Sequence, residues 1–522
     1  MLVVSHDKGR KIPVSKIAIL WLPSRSISPI LGCMVLHKTA SGLKANRPFN
    51  LVIFGASGHL ARIKLYPSLY VLALKKRLPK DYAIIGFARS AMDEKSFRAM
   101  VESSIRESML EVTEWALKEL LTHVHYSQGQ YDRVADFKAL AKRMDTMERQ
   151  WNKPVRLAYF SIPPTVFHDV LENICKGKIH HRKGENDFRC IIEKPVGSDL
   201  ESFEQIRLAL TQCFGEKEIY LLDHYLGKEA VRNIYYLRYA NPILERILKH
   251  TLIHHVEVTA MESAGLEGRA GYFDAVGTLR DMVQSHLLQI CALLSMRLQE
   301  DDSVQAARIH ALDQLYLPHA VSLDDILVQG QYAAGTIGGE HFPGYREEEG
   351  VAKNSRTATY TALKLMSRSS RWEGVPFYLR TGKRLSRKET RISIAFHEPQ
   401  KIGKGATPNR LDIILQGEAG MRLYLQTKLG GTEPEFRPLI MTDPLVCMGD
   451  CLPEHGLLLL EAIIGKQQWF LSFDEVRMAW RIIDPLQKHL DKKATKLHAY
   501  TAGSNGPEEA NTWMEKQGVK WF

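Results

Sequence analysis

A short apolar run that ends on glycine leaves this chain few options. Asn50-Leu51-Val52-Ile53-Phe54 passes directly into Gly55-Ala56-Ser57-Gly58-His59-Leu60-Ala61. An apolar run without alternation suits a strand buried on both faces, as in a parallel sheet. The residues that follow, through Leu65, Leu69 and Leu72, repeat at helical spacing. Glycines at such a strand-to-helix turn let the backbone approach a pyrophosphate, which then meets the free N–H groups at the helix start. The pattern here is G-x-x-G-x-x-A rather than G-x-G-x-x-G, and similar turns occur in folds that bind nothing.

The next strand narrows the reading. Tyr82 to Phe87 is apolar and ends in Ala88-Arg89-Ser90. In a dinucleotide site an acid there holds the ribose 2′-hydroxyl, whereas an arginine accommodates a 2′-phosphate. Arg89 therefore fits an NADP site, and by itself fits a solvated surface equally well. Strand-like runs recur at Leu157–Ile162 and Cys190–Ile192, with helical stretches at Phe167–Lys176 and Leu200–Phe214. The alternation predicts a doubly wound, Rossmann-like α/β domain over residues 48–222.

Beyond residue 223 the period changes. Val256, Val258 and Ala260 alternate with Glu257 and Thr259, and Ile392, Ile394 and Phe396 with Arg391 and Ser393. Leu411–Leu415 and Met421–Leu425 flank Gly417-Glu418-Ala419-Gly420, a hairpin signature. Residues 223–522 are thus expected to form an α+β domain with a large antiparallel sheet and helices on one face.

Three clusters carry more functional groups than a fold requires. After an apolar strand come Asp223-His224-Tyr225-Leu226-Gly227-Lys228; a helix there would put His224 and Lys228 on one face, suited to a phosphate. The second cluster runs from Glu262 through Tyr272 and Asp274 to Arg280-Asp281 and His286. Leu279, Val283, Leu287, Ile290 and Leu294 form a helical stripe beside His286, which alone reads as well as a hydrogen-bonded core histidine. The third is a strand leading into a basic turn, Arg380 to Lys388.

Charge argues against nucleic acid. Of the formal +11, residues 1–47 supply +7, with eight basic side chains against Asp7. A nucleic-acid face should be a patch on a folded domain, not a terminal arm. That arm, with six serines and one acid, has the composition of an organelle transit peptide. It also reads as a disordered extension, or as sequence upstream of a start at Met34. No stretch reaches the roughly 20 apolar residues of a membrane span, so no integral membrane protein is expected; the expected place is the cytoplasm, with organelle targeting by residues 1–47 left open. The seven scattered cysteines suit a reducing compartment. Cys447 and Cys451 lack a second Cys or His pair, so no metal is expected.

With those residues in place, the chain from about Phe49 to Phe522 resembles the glucose-6-phosphate dehydrogenase family. GASGHLARIKLYP (55–67), GFARS (86–90), IIEKPVGSDL (191–200), LLDHYLGKE (221–229), AGYFDAVGTLRDMVQSHLLQ (270–289), RWEGVPFYLRTGK (371–383) and YTAGSNGPEEA (500–510) follow the family's order and spacing. The resemblance implies oxidation of glucose 6-phosphate at C1 to 6-phosphogluconolactone with NADP, the first oxidative step of the pentose phosphate pathway. It makes His286 the base and Asp223 its partner. It sets His224, Tyr225, Lys228, Lys383 and Lys388 on the substrate phosphate, and Glu262 and Asp281 on sugar hydroxyls. Lys194 and Lys64 would lie between sugar and cofactor. Gly55, Ala56, Ser57, Gly58, Leu60, Ala61, Arg89 and Tyr159 would bind NADP. A homodimer or homotetramer formed through the antiparallel sheet is implied as well.

Two departures stand out. His59 replaces the family's usual Asp, which leaves the NADP-versus-NAD choice open. Leu452-Pro453-Glu454-His455-Gly456-Leu457 stands where the family reads like A-Y-E-R-L-L. Being remote in sequence from the other motifs, it is expected to affect packing rather than catalysis. A non-catalytic NADP-binding relative and a dehydrogenase of broader hexose-6-phosphate specificity stay open at this stage.

Overall fold

In the computed structural model, which describes residues 42–180, 187–298, 303–319, 322–399, 405–446, 450–492 and 496–522, the run before Gly55 lies at the middle of a parallel sheet. Its strands are β1 (Phe49–Phe54), β2 (Tyr82–Ala88), β3 (Val124–Gln128), β4 (Val155–Phe160), β5 (Phe188–Glu193) and β6 (Ile219–Leu222), in the order β3-β2-β1-β4-β5-β6. Ile53 pairs with Gly86 on one side and Tyr159 on the other. Phe49, Leu51 and Ile53 enter one apolar core, Val52 and Phe54 a second on the opposite face. Helices close both faces, which is why β1 is apolar throughout instead of alternating. The order reverses between β1 and β4, the switch point beyond whose strand ends such sheets bind ligands.

The second sheet has ten strands among the described residues. In spatial order, nine of them are Phe436–Pro444, Gly420–Lys428, Arg410–Gln416, Glu389–Phe396, Ile253–Met261, Phe377–Gly382, Tyr360–Ser367, Leu327–Ala333 and Leu497–Thr501; the short Leu315–Tyr316 pairs with Tyr360–Ser367. The expected hairpin is present, with Ile413 opposite Met421 and Leu411 opposite Leu423. The sheet is mixed rather than wholly antiparallel: Ile253–Met261 runs parallel to Phe377–Gly382, and Leu497–Thr501 to Leu327–Ala333. Each parallel pair joins segments far apart in sequence, so long crossovers replace the tight turns that local patterning reveals.

The period-two alternation misleads at Glu257 and Thr259, which are buried rather than solvated. The end of the chain covers their face. The Phe522 ring stacks on His255, with centroids 5.8 Å apart, and the Phe522 N–H donates to Glu257 Oε2 at 3.3 Å. The larger core continues from β1 through Val256 and Val258 to Leu287 and Leu294, so both sheets share it.

Cysteine usage also differs from the expectation of scattered thiols. Cys175 and Cys213 form a disulfide, with Cα atoms 6.1 Å apart. Cys175 lies at the end of the helix Phe167–Lys176 and Cys213 two residues past the helix Leu200–Thr211, which tertiary packing sets together. Residues 1–41, and with them most of the basic arm, fall outside the described residues. Among the described residues no helix is long and apolar enough to cross a membrane.

Candidate active site

The site is built where β5 and β6 end. Asp223 follows Leu222, and its Oδ1 accepts the Tyr225 N–H at 2.9 Å. That cap closes a tight 3₁₀ turn over His224–Gly227, and the α-helix begins only at Glu229. The segment does not turn α-helical directly after Asp223. Lys228 is extended, with its ammonium 3.9 Å from the centre of the Tyr225 ring, instead of sharing a helix face with His224.

His286 arrives from the other side, on a widened helical segment, Leu279–Leu287. Its Nδ1 stands 2.7 Å from Asp223 Oδ1, and both side chains are buried. Tyr225 stacks on the imidazole with centroids 4.1 Å apart, and His224 meets it edge-on at 4.8 Å. Lys194, the first residue after β5, brings its Nζ to 2.5 Å from His286 Nε2, 2.9 Å from the Asp281 carbonyl and 3.2 Å from Ser285 Oγ. Asp281 Oδ1 lies 3.5 Å from the same ammonium.

This crowding sets the protonation states. Burial, then the Lys194 charge, hold His286 well below the ordinary histidine range. His224 is depressed by burial and then by His286. Burial pushes Asp223 up, against the pull of His224 and Lys194. Burial thus favours a neutral imidazole, whose Nδ1 lies against Asp223 without an aligned hydrogen bond and whose Nε2 faces Lys194. Asp223, His224 and His286 also lie close enough to ligate a cation, but Lys194 already sets a positive charge on Nε2. Cys175, His180 and Cys213 form a second such group, whose sulfurs are joined to each other.

Lys383, nearly buried, contacts Glu262 Oε2 at 2.6 Å. Lys388 is exposed on the turn before Glu389–Phe396. Burial is the main cause of the lowered Lys228 pKa, with Lys388 contributing in the same direction against Glu454 and Asp223. Asp223, His224, Tyr225, Lys228, Lys194, Asp281 and His286 thus converge, with the Lys383–Glu262 pair beside them.

The cradle after β1 is separate from that cluster. Gly55 has φ +82°, and a Cβ there would come within 2.0 Å of the Ser161 carbonyl oxygen, so the turn needs glycine. The Gly58 N–H donates to the Gly55 carbonyl at 2.9 Å. Ala56 and Ala61 are buried, Ser57, Gly58 and Leu60 partly exposed, and His59 exposed. Ser57 Oγ lies 3.3 Å from Ser90 Oγ, joining the turn to the segment after β2. Arg89 is exposed, its guanidinium 5.5 Å from the centre of the Tyr131 ring. An open glycine turn at the switch point with a free arginine past β2 fits NADP. Tyr159, by contrast, is fully buried, and its hydroxyl donates to Glu193.

Distance in sequence does not carry over to space. The Glu454-His455 segment is not remote: Glu454 Oε1 accepts from Lys64 Nζ at 3.3 Å, and His455 Nε2 lies 3.4 Å from Glu193 Oε1. The helix Glu454–Ile464 packs against the turn after Asp223, where a Cβ on Gly227 would come within 2.6 Å of the Glu454 carbonyl oxygen. Glu193 is a further residue of the site, outside the motif roles given above. Its signal is present in the sequence: it immediately precedes Lys194 at the end of a buried strand.

Comparison with known proteins agrees with this geometry. Two family models match, "Glucose-6-phosphate dehydrogenase, NAD binding domain" over residues 52–233 and "Glucose-6-phosphate dehydrogenase, C-terminal domain" over 235–522. Glucose-6-phosphate 1-dehydrogenase of Chlamydia pneumoniae is 34% identical over 511 residues, covering 93% of this chain and 99% of that protein. The Schizosaccharomyces pombe protein of that name is 35% identical, covering 90% and 93%. A glucose-6-phosphate dehydrogenase solved in complex with glucose 6-phosphate superposes with a TM-score of 0.83 at 28% identity, over 92% of this chain and all of that one. The enzyme from Mycobacterium avium gives 0.78 at 28% identity, over 92% and 99%. With both halves matched and relatives above 30% identity along nine-tenths of its length, the chain belongs to the glucose-6-phosphate dehydrogenase family.

Proposed function

We propose that the protein oxidises glucose 6-phosphate to 6-phosphogluconolactone with NADP. The observation that carries this is the buried contact of His286 Nδ1 with Asp223 beyond the end of β6. NADP, when bound in the cradle after β1, supplies the hydride acceptor. His286 Nε2 takes the proton of the C1 hydroxyl as C1 becomes a carbonyl. Asp223 fixes the imidazole by its other nitrogen and offsets the positive charge that develops. For Nε2 to receive the proton, Lys194 must leave it, and Asp281 and Ser285 are the partners it keeps.

The remaining residues hold substrate. His224, Tyr225, Lys228, Lys383 and Lys388 suit the phosphate dianion, and Glu262 and Asp281 the sugar hydroxyls. Lys383 exchanges its Glu262 partner for phosphate on binding. Gly55–Ala61 and Arg89 hold the cofactor, with Lys64 on the side facing the sugar. Residues 48–222 form the nucleotide part and 223–522 the substrate part. The exposed Leu439, Ile440 and Met441 on the edge strand Phe436–Pro444 support assembly of two or more copies through that sheet. Sugar phosphates and NADP are charged metabolites that do not cross membranes unaided, and we place the reaction in the cytoplasm.

The test is NADPH formation from glucose 6-phosphate and NADP, beside NAD and beside other hexose 6-phosphates. Turnover with glucose 6-phosphate is expected. Folded protein that turns over none of these pairs would make it a binding relative instead.

A further inference from the structure

A buried histidine that the chemistry above does not use stands where two charged seams of the site meet. His455 lies in the first turn of the helix Glu454–Ile464, with 6% of its side chain exposed. Its Nε2 is 3.4 Å from Glu193 Oε1 and its Nδ1 3.9 Å from Glu454 Oε1. The ring lies nearly parallel to His224, with centroids 6.2 Å apart.

Both carboxylates lead to lysines of the site. Glu193 ends β5, and its carboxylate also accepts from the Tyr159 hydroxyl, which burial keeps protonated. The next residue is Lys194, whose ammonium rests on His286, Ser285 and Asp281. Glu454 holds Lys64 at 3.3 Å. One imidazole therefore reaches the carboxylate that precedes Lys194 in the chain with its Nε2, while its Nδ1 lies near the carboxylate that pairs with Lys64 without a hydrogen bond to it.

We propose that His455 is a positioning residue for substrate binding, orienting Glu193 and through it Lys194 without touching the substrate. A carboxylate at a strand end with one fixed donor keeps a free torsion. A second partner on another helix removes it, and the backbone that launches Lys194 is held with it. In the dehydrogenase reading Lys194 lies beside the sugar, and a contact made there acts in ground and transition states alike. Loosening it weakens binding more than the chemical step.

The ring contact with His224 offers a second, merely packing role, and two substitutions separate the roles. His455→Phe keeps a ring against His224 and removes both nitrogens. His455→Gln keeps an N–H for Glu193 and removes the ring. The inference rests on the dehydrogenase reading, so wild-type turnover is measured beside calorimetric titration of glucose 6-phosphate into each protein. His455→Phe is expected to raise Kd and KM for glucose 6-phosphate about tenfold, with kcat within about threefold of wild type. His455→Gln should stay within about threefold of wild type in all three.

The reverse order, with Gln impaired and Phe normal, would overturn the inference in favour of packing. So would equal losses that track the melting temperature. Should His455→Phe not fold, Glu193→Gln must reproduce the rise in Kd, and wild-type binding by that variant overturns the inference. Wild-type protein that binds glucose 6-phosphate without turnover would overturn the dehydrogenase reading alone, and the Kd series would still decide His455. Wild-type protein that does not bind it overturns both.

Discussion

His286 Nδ1 stands 2.7 Å from Asp223 Oδ1, and each side chain is 1% exposed. One residue comes from a helix beside the second sheet, the other from the end of the parallel sheet. In the proposed reaction that contact places His286 as the base and leaves Nε2 to take the proton.

Replacing His286 with Asn should lower kcat by about a hundredfold to ten-thousandfold, the range for loss of a positioned general base. Asp223→Asn should cost a similar factor, since an amide can stabilise the wrong tautomer. The two losses should not add, because the residues act as a unit. NADPH formation in the single and double variants checks this.

The pH profile follows from the depressed His286. The base must be neutral, so activity falls as pH drops through its pKa, and burial plus Lys194 put that limb below the ordinary value of 6.5. Lys194→Met removes the positive neighbour and should move the acid limb of kcat/KM to higher pH. Stability carries the same sign. Below pH 6.5 the unfolded chain binds a proton at this histidine that the folded protein resists, so unfolding becomes easier as pH falls. Denaturant midpoints across pH 5 to 8, for wild type and His286→Asn, should show a shallower acid loss in the variant.

Gly55→Ala should destabilise the protein by about 2–4 kcal/mol. The new methyl would meet the Ser161 carbonyl oxygen at 2.0 Å and force φ away from +82°. Because that turn is also the proposed phosphate cradle, NADP affinity should fall in parallel. Urea unfolding and fluorescence titration with NADP measure the two effects.

Arg89→Glu should reverse cofactor preference. Losing a charged partner for the 2′-phosphate corresponds to roughly a ten- to hundredfold loss in kcat/KM for NADP. The NAD reaction should be spared. The ratio of kcat/KM for the two cofactors is the measurement, and an unchanged ratio would assign the 2′-phosphate to other groups.

Much of the site could be read locally. The glycine turn after β1 and Arg89 after β2 depend only on neighbours within a few residues, and so does the hairpin Arg410–Gln416 with Gly420–Lys428. The stripe Leu279, Val283, Leu287 correctly marked a buried helix beside His286, although not its widened turns. Local reading failed at Lys228, because the Asp223 cap closes a tight turn where helical spacing predicted a common face. It failed also at Glu257 and Thr259, whose polar face the chain end covers.

The sequence alone determined the alternating strands and helices, the glycine cradle and the residue types of the base and phosphate groups. Backbone preference and side-chain period act over a few residues, so they are written into adjacent positions. Only the tertiary structure decided that Asp223 meets His286, that Lys194 rests on His286, and that His455 borders the same site. Those contacts join residues from about sixty to more than two hundred and sixty positions apart. They form because two sheets share one apolar core, and packing that core brings the polar ends of distant strands and helices together.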